Sequence, residues 1–165
     1  SLNLLHENLE KAVHDGKSID ARSGVALAST LAGMVESISS CTSEHSMEHA
    51  ISAYYPELPH GAGLIMLSRA YFGFFAERLP ERFAEMAKAM LNRPDATADD
   101  FLKRLADMQD KCDVGALKMS YYGIQEAGLA KFVPNARSAM GALFTLDRVQ
   151  LTDYDGLSIY KKSYR

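Results

Sequence analysis

No stretch of 18 consecutive apolar residues occurs in the chain, so no helix in it is long and apolar enough to cross a bilayer. Positive charge is not in surplus either. The 18 lysines and arginines face 21 aspartates and glutamates, a formal net charge of -3. That balance gives no electrostatic reason to expect nucleic acid or an anionic membrane as a partner. Cysteine is scarce. Cys41 and Cys112 lie far apart without CxxC spacing, which excludes a disulfide scaffold, favours a reducing, cytoplasmic compartment and makes both thiols core or boundary residues. Strand-like alternation persists nowhere, and no glycine-rich loop joins a strand to a helix, so nothing local points to a nucleotide-binding fold. The amphipathic N-terminus SLNLLHENLEKAV does not have the form of a signal peptide.

What is present is helical pattern. Hydrophobic residues make up 47% of the chain, enough to rule out a disordered composition. Leu2, Leu5, Leu9 and Val13 recur at helical spacing, and Gly16 stops that helix. Ser18 or Asp20 can cap the next, which runs through ARSGVALASTLAGMVESI. Its many small residues let a neighbour approach closely and predict a buried central helix. A shorter helix opens at Ser43 and must end before Pro56, because the residue preceding a proline avoids helical geometry. Another starts close to Pro59 and continues through AGLIMLSRAYFGFFAERL, apolar enough to be central too. Pro80 begins a segment with Phe83, Met86, Ala87 and Met90 on one stripe. Thr97 with Asp100, and Thr152 with Asp155, have capping-box spacing. Pro134 breaks or divides QEAGLAKFVPNARSAMG.

Three of the five histidines fall in SEHSMEHAISAYYPELPHGAGL. His45 and His49, four apart, share a helix face and can both approach one metal, although boundary histidines show the same spacing. HSMEH also fits the inverted zinc-protease pattern HxxEH, in which Glu48 would be the general base; a solvated Glu48 is the simpler account. His60 follows the stiff PELP turn at the head of a helix, where the positive helix end favours the neutral, metal-binding imidazole. Since about four ligands are usual, three histidines on two adjacent helix ends read as an incomplete metal site or as a structural cluster. The carboxylates Glu36, Glu44, Glu48 and Glu57 read as solvated, and His6 and His14 as surface residues of the first helix.

HSMEHAISAYYPELPHGAGL resembles the metal-binding segment of the iron-containing (group III) alcohol dehydrogenases. DARSGVALASTLAGM resembles the preceding helix of that family, PERFAEMAKAM the following one, and LTDYDGLSIYKKSY its C-terminal helix. The likeness therefore covers essentially all 165 residues. It implies an all-α, bundle-like fold, with residues 1–165 forming one metal-binding domain, the C-terminal half of a two-domain dehydrogenase. An N-terminal α/β domain that binds NAD or NADP would lie before Leu2. In that family an Asp, a His four residues later and two further histidines hold the metal. His45 matches the third ligand and His60 the fourth. His49 matches a non-ligand histidine beside the nicotinamide and substrate, assigned to proton transfer, which makes it the catalytic and the cofactor-binding candidate.

The chain departs from the family pattern in two ways. The interval from His45 to His60 is about one residue longer than in the commonest members, and no DxxxH pair is present. Leu2 and Glu10 stand four residues before His6 and His14. The resemblance implies NAD(P)-dependent interconversion of a small alcohol with an aldehyde or ketone, with Fe2+ ahead of Zn2+ as the metal. A homodimer is expected, with neither nucleic acid nor membrane as partner. Alone, the chain is expected to be inactive and to hold metal weakly or not at all. The alternatives are a non-catalytic helical packing module and a glycerol-dehydrogenase-superfamily enzyme of different reaction.

Overall fold

A computed structural model describes the whole chain, Ser1 to Arg165. It contains α1 (Leu2–His14), α2 (Ile19–Ser39), α3 (Ser43–Ser52), α4 (His60–Arg78), α5 (Pro80–Leu91), α6 (Ala98–Lys111), α7 (Phe132–Met140) and α8 (Asp153–Ser163). Short 3-10 turns occur at Met119–Tyr122, Glu126–Lys131 and Gly141–Thr145, and there is no strand. The all-α expectation holds.

Local chemistry accounts for several boundaries. Pro80 opens α5, where its missing N–H would have had no helical partner. Asn92, in the left-handed region at φ 50, stops that helix. Both predicted capping boxes form. Thr97 accepts from the Asp100 N–H while the Asp100 carboxylate accepts from the Thr97 N–H at 2.8 Å. Thr152 and Asp155 repeat the arrangement at the start of α8, at 3.0 Å. The segment around Pro134 is divided as expected, but before the proline. A 3-10 turn gives way to α7 at Phe132, so Pro134 falls in the first turn and removes no needed donor.

The chain sorts into two compact units, Ser1–Ser40 with Ala76–Gly115, and Cys41–Phe75 with Ala116–Arg165. In the first, α1 packs on α2 and α5, and α5 packs on α6. Phe83, Ala87 and Met90 are buried with Phe101, whose ring meets Phe83 edge-on at 5.3 Å. His6 is half-buried, which corrects its reading as a surface residue. The Arg104 guanidinium donates from Nε to His6 Nδ1 at 2.7 Å and from Nη2 to the His6 carbonyl at 3.1 Å. Burial, and then the Arg104 charge, lower the pKa of His6. His14 is exposed as expected; its Nε2–H donates to the Lys111 carbonyl at 2.6 Å.

Helix α2 is not the buried central helix its composition suggested. Only Ala21 and Ala28 are buried, while Ile19 and Ile38 are 74% and 87% exposed. Small and apolar residues permit close packing without stating how many faces of a helix have a neighbour. The close approach itself is real at one point. A Cβ on Gly24 would stand 2.5 Å from Cγ of Asn8 on α1.

The second unit is built on α3, α7, α8 and most of α4. Helix α3 packs against α7 and the 141–145 turn, and α7 against α8. Met47, Ile51, Leu67, Leu129, Phe132, Ile159 and Tyr160 form its core. From Ala62 to Ala76 no residue of α4 is exposed, in keeping with its apolar sequence.

Candidate metal centre

Helix α3 is short and held at several points, all within the second unit. The Ser46 hydroxyl lies 2.9 Å from the Ala136 carbonyl and 3.1 Å from that of Met140. The Tyr160 hydroxyl donates to the Met47 carbonyl at 2.7 Å. At the N-terminal end, the Ser43 N–H donates to Asp147 Oδ1 at 3.1 Å, and the Ser43 hydroxyl lies 3.0 Å from that of Tyr71. Burial raises the pKa of both Tyr71 and Asp147, so the phenol stays protonated and can donate to Asp147 Oδ1, 3.1 Å away. These anchors fix the helix face that carries His45 and His49.

His60 is brought back to that face by the turn. The Leu58 N–H donates to the Tyr55 carbonyl at 3.0 Å, and the buried Leu58 side chain pins the loop. The Pro59 carbonyl then accepts from Ala62 at 2.9 Å and Gly63 at 3.1 Å, which starts α4 at His60. The His60 ring lies 5.2 Å from that of His45 and 5.1 Å from that of His49, centre to centre.

One nitrogen from each of His45, His49 and His60 falls within 4.8 Å of the other two. Ligand atoms on one tetrahedral ion are about 3.3 Å apart, so modest side-chain rotation would gather such nitrogens on a single ion. His49 and His60 are exposed and His45 half-buried, which leaves the cluster open to an ion. Imidazole donors suit a borderline divalent cation.

Two carboxylates beside the histidines are not solvated as the sequence suggested. Glu48 is fully buried, with one oxygen accepting from the Ser52 hydroxyl at 2.5 Å and the other bonded to His60 Nδ1. Glu44 is also buried. Its Oε1 has no hydrogen-bond partner, and burial pushes the carboxyl up to about 8. Glu57 and Glu36 are exposed, as read. The sequence reads Glu48 as solvated and does not single out Ser52. The available signal was their i, i+4 relation on one helix, which is informative only once the helix is known to be buried on that side.

Residues 1–164 match the model of the Fe-containing alcohol dehydrogenase family, C-terminal. The chain belongs to this family. An archaeal halo-thermophilic alcohol dehydrogenase from a Red Sea brine pool superposes with a TM-score of 0.89 at 28% identity, over 98% of this chain and 42% of that one. The 1,3-propanediol dehydrogenase of Klebsiella pneumoniae is 35% identical over 92 residues, 54% of this chain and 23% of the enzyme. The mitochondrial hydroxyacid-oxoacid transhydrogenase of Bos taurus is 28% identical over 147 residues, 76% of this chain and 32% of the enzyme. The chain thus spans less than half the length of the relatives it matches.

Proposed function

We propose that residues 1–165 are the metal-holding, helical half of an NAD(P)-dependent alcohol dehydrogenase that interconverts a small alcohol and its aldehyde or ketone. The observation that supports this best is the convergence of His45, His49 and His60 in a chain of this family. In this reading His45 and His60 hold a divalent metal, Fe2+ or Zn2+, with further ligands supplied from the other half. The metal supplies Lewis-acid polarisation of the substrate oxygen. His49 does not ligate. Being exposed beside the cluster, it receives a proton from the substrate side and passes it to solvent. Hydride acceptance belongs to the nicotinamide, bound by the α/β half.

The test is NAD(P)H formation from a panel of primary alcohols and diols by the two-domain protein, beside the 165-residue chain alone. H45A and H60A should abolish both metal uptake and turnover. H49A should keep the metal and lose most of its turnover. A fully active H49A enzyme would remove the proton-transfer role, and turnover by the isolated chain would overturn the division of labour between halves.

A further inference from the structure

A buried carboxylate without compensation is among the costlier features a core can hold. Glu48 is 0% exposed, whereas the His60 side chain it meets is 46% exposed. Both oxygens of Glu48 are engaged. Oε1 accepts from the Ser52 hydroxyl at 2.5 Å, one helical turn further along α3. Oε2 is bonded to Nδ1 of His60 at the start of α4. A carboxylate can only accept, so His60 Nδ1 carries the proton and the lone pair lies on Nε2.

Space for this arrangement is made by Gly63, three residues after His60 on the same helix. A Cβ at Gly63 would fall 2.5 Å from Glu48 Oε1 and 2.6 Å from its Cγ. Ser52, Glu48 and Gly63 thus form a pocket for one carboxylate behind one imidazole. Glu48 is not itself among the converging ligand atoms, and each of its oxygens already holds a hydrogen bond.

We propose that Glu48 is a positioning residue for the metal centre: it fixes the tautomer and orientation of His60 so that Nε2 faces the ion, with Ser52 holding the carboxylate and Gly63 admitting it. A carboxylate on the far ring nitrogen also makes the near nitrogen a stronger donor, and loss of such a partner typically weakens metal binding about 10- to 100-fold. The inference rests on the metal-centre reading above.

The first experiment needs neither metal nor turnover. Long-range 1H–15N correlation of the histidine-labelled 165-residue chain, with chelator present and at a pH well above the imidazole range, reports the tautomer of each ring. His60 should be the Nδ1–H form in the wild type, and E48L should shift it toward Nε2–H. A wild-type His60 in the Nε2–H form overturns the proposal, and this reading survives even if E48L does not fold. The second experiment is titration of the two-domain protein with Zn2+. E48L should bind about 10- to 100-fold more weakly, and E48Q, which keeps an acceptor, should recover part of the loss. Uptake that H45A and H60A abolish but E48L leaves unchanged overturns the role of Glu48 alone. A wild-type two-domain protein that takes up no Zn2+ at any concentration it tolerates overturns the metal-centre reading, and the metal role of Glu48 with it.

Discussion

The hydroxyl of Tyr160 on α8 donates to the carbonyl of Met47 on α3, 2.7 Å away, with both residues buried. Met47 stands between His45 and His49, so the C-terminal helix steadies the histidine-bearing one. Tyr160→Phe removes the donor and keeps the ring that packs 5.4 Å from Phe132. The expected cost is about 1 kcal/mol in urea unfolding, with a small loss of Zn2+ affinity. A variant with unchanged stability and affinity would show that the bond steadies nothing.

Zn2+ should raise the thermal midpoint of the wild-type two-domain protein and of its H49A variant, and chelation should reverse the effect. Ligand-induced stabilisation grows by about 1.4 kcal/mol for each tenfold rise of the ion above its dissociation constant. H45A and H60A should show no such rise. An H49A two-domain protein that also fails to respond would make His49 a ligand.

Gly63→Ala forces a methyl group into the carboxyl of Glu48. Overpacking of this kind costs about 1–3 kcal/mol. Shortening the opposing side chain should relieve it, so the double variant G63A/E48A should be more stable than the two single losses predict by sum. Additive losses would show that the two positions do not touch.

Acid sensitivity should trace in part to Asp100. The Arg93 guanidinium, 2.6 Å away, then the Thr97 N–H and hydroxyl, hold its carboxyl below the ordinary value. A depressed folded value means that the unfolded chain takes up the proton first. The contribution is therefore complete above about pH 4, the ordinary aspartate range, and is lost as pH falls from there toward the folded value. Asp100→Asn should lower stability at neutral pH and make the decline below about pH 4 shallower, read as the urea midpoint across an acid series. Parallel curves for the two proteins would contradict this.

Ile38 on α2 is 87% exposed, so Ile38→Ser should change the unfolding free energy by no more than about 0.5 kcal/mol. A larger loss in urea would mean that this face of α2 is covered in solution.

Helix punctuation was legible in the sequence where the determinants are local. Pro80, Thr97 with Asp100, and Thr152 with Asp155 each act within one turn, and each does so in the fold. The meeting of His45, His49 and His60 was legible from their spacing and the stiff turn between them. The exposure of α2 was not, because a helix rich in alanine, glycine and leucine reads the same with one neighbour or with several. The burial of Glu48 was hidden for a related reason. Its environment depends on Gly63, on another helix, and a lone glutamate has no pattern that distinguishes solvent from a pocket built for it.

The packing of Gly63 against Glu48 ties two letters of the sequence together. In this chain a glutamate between the paired histidines is tucked behind the later histidine because glycine stands three residues after it, and a relative with the same glutamate would meet the same crowding without that glycine. A lineage that gave up either letter would be expected to give up the other. The pair can then serve as a mark for sorting members of the family by how their imidazoles are supported, readable without a structure of each.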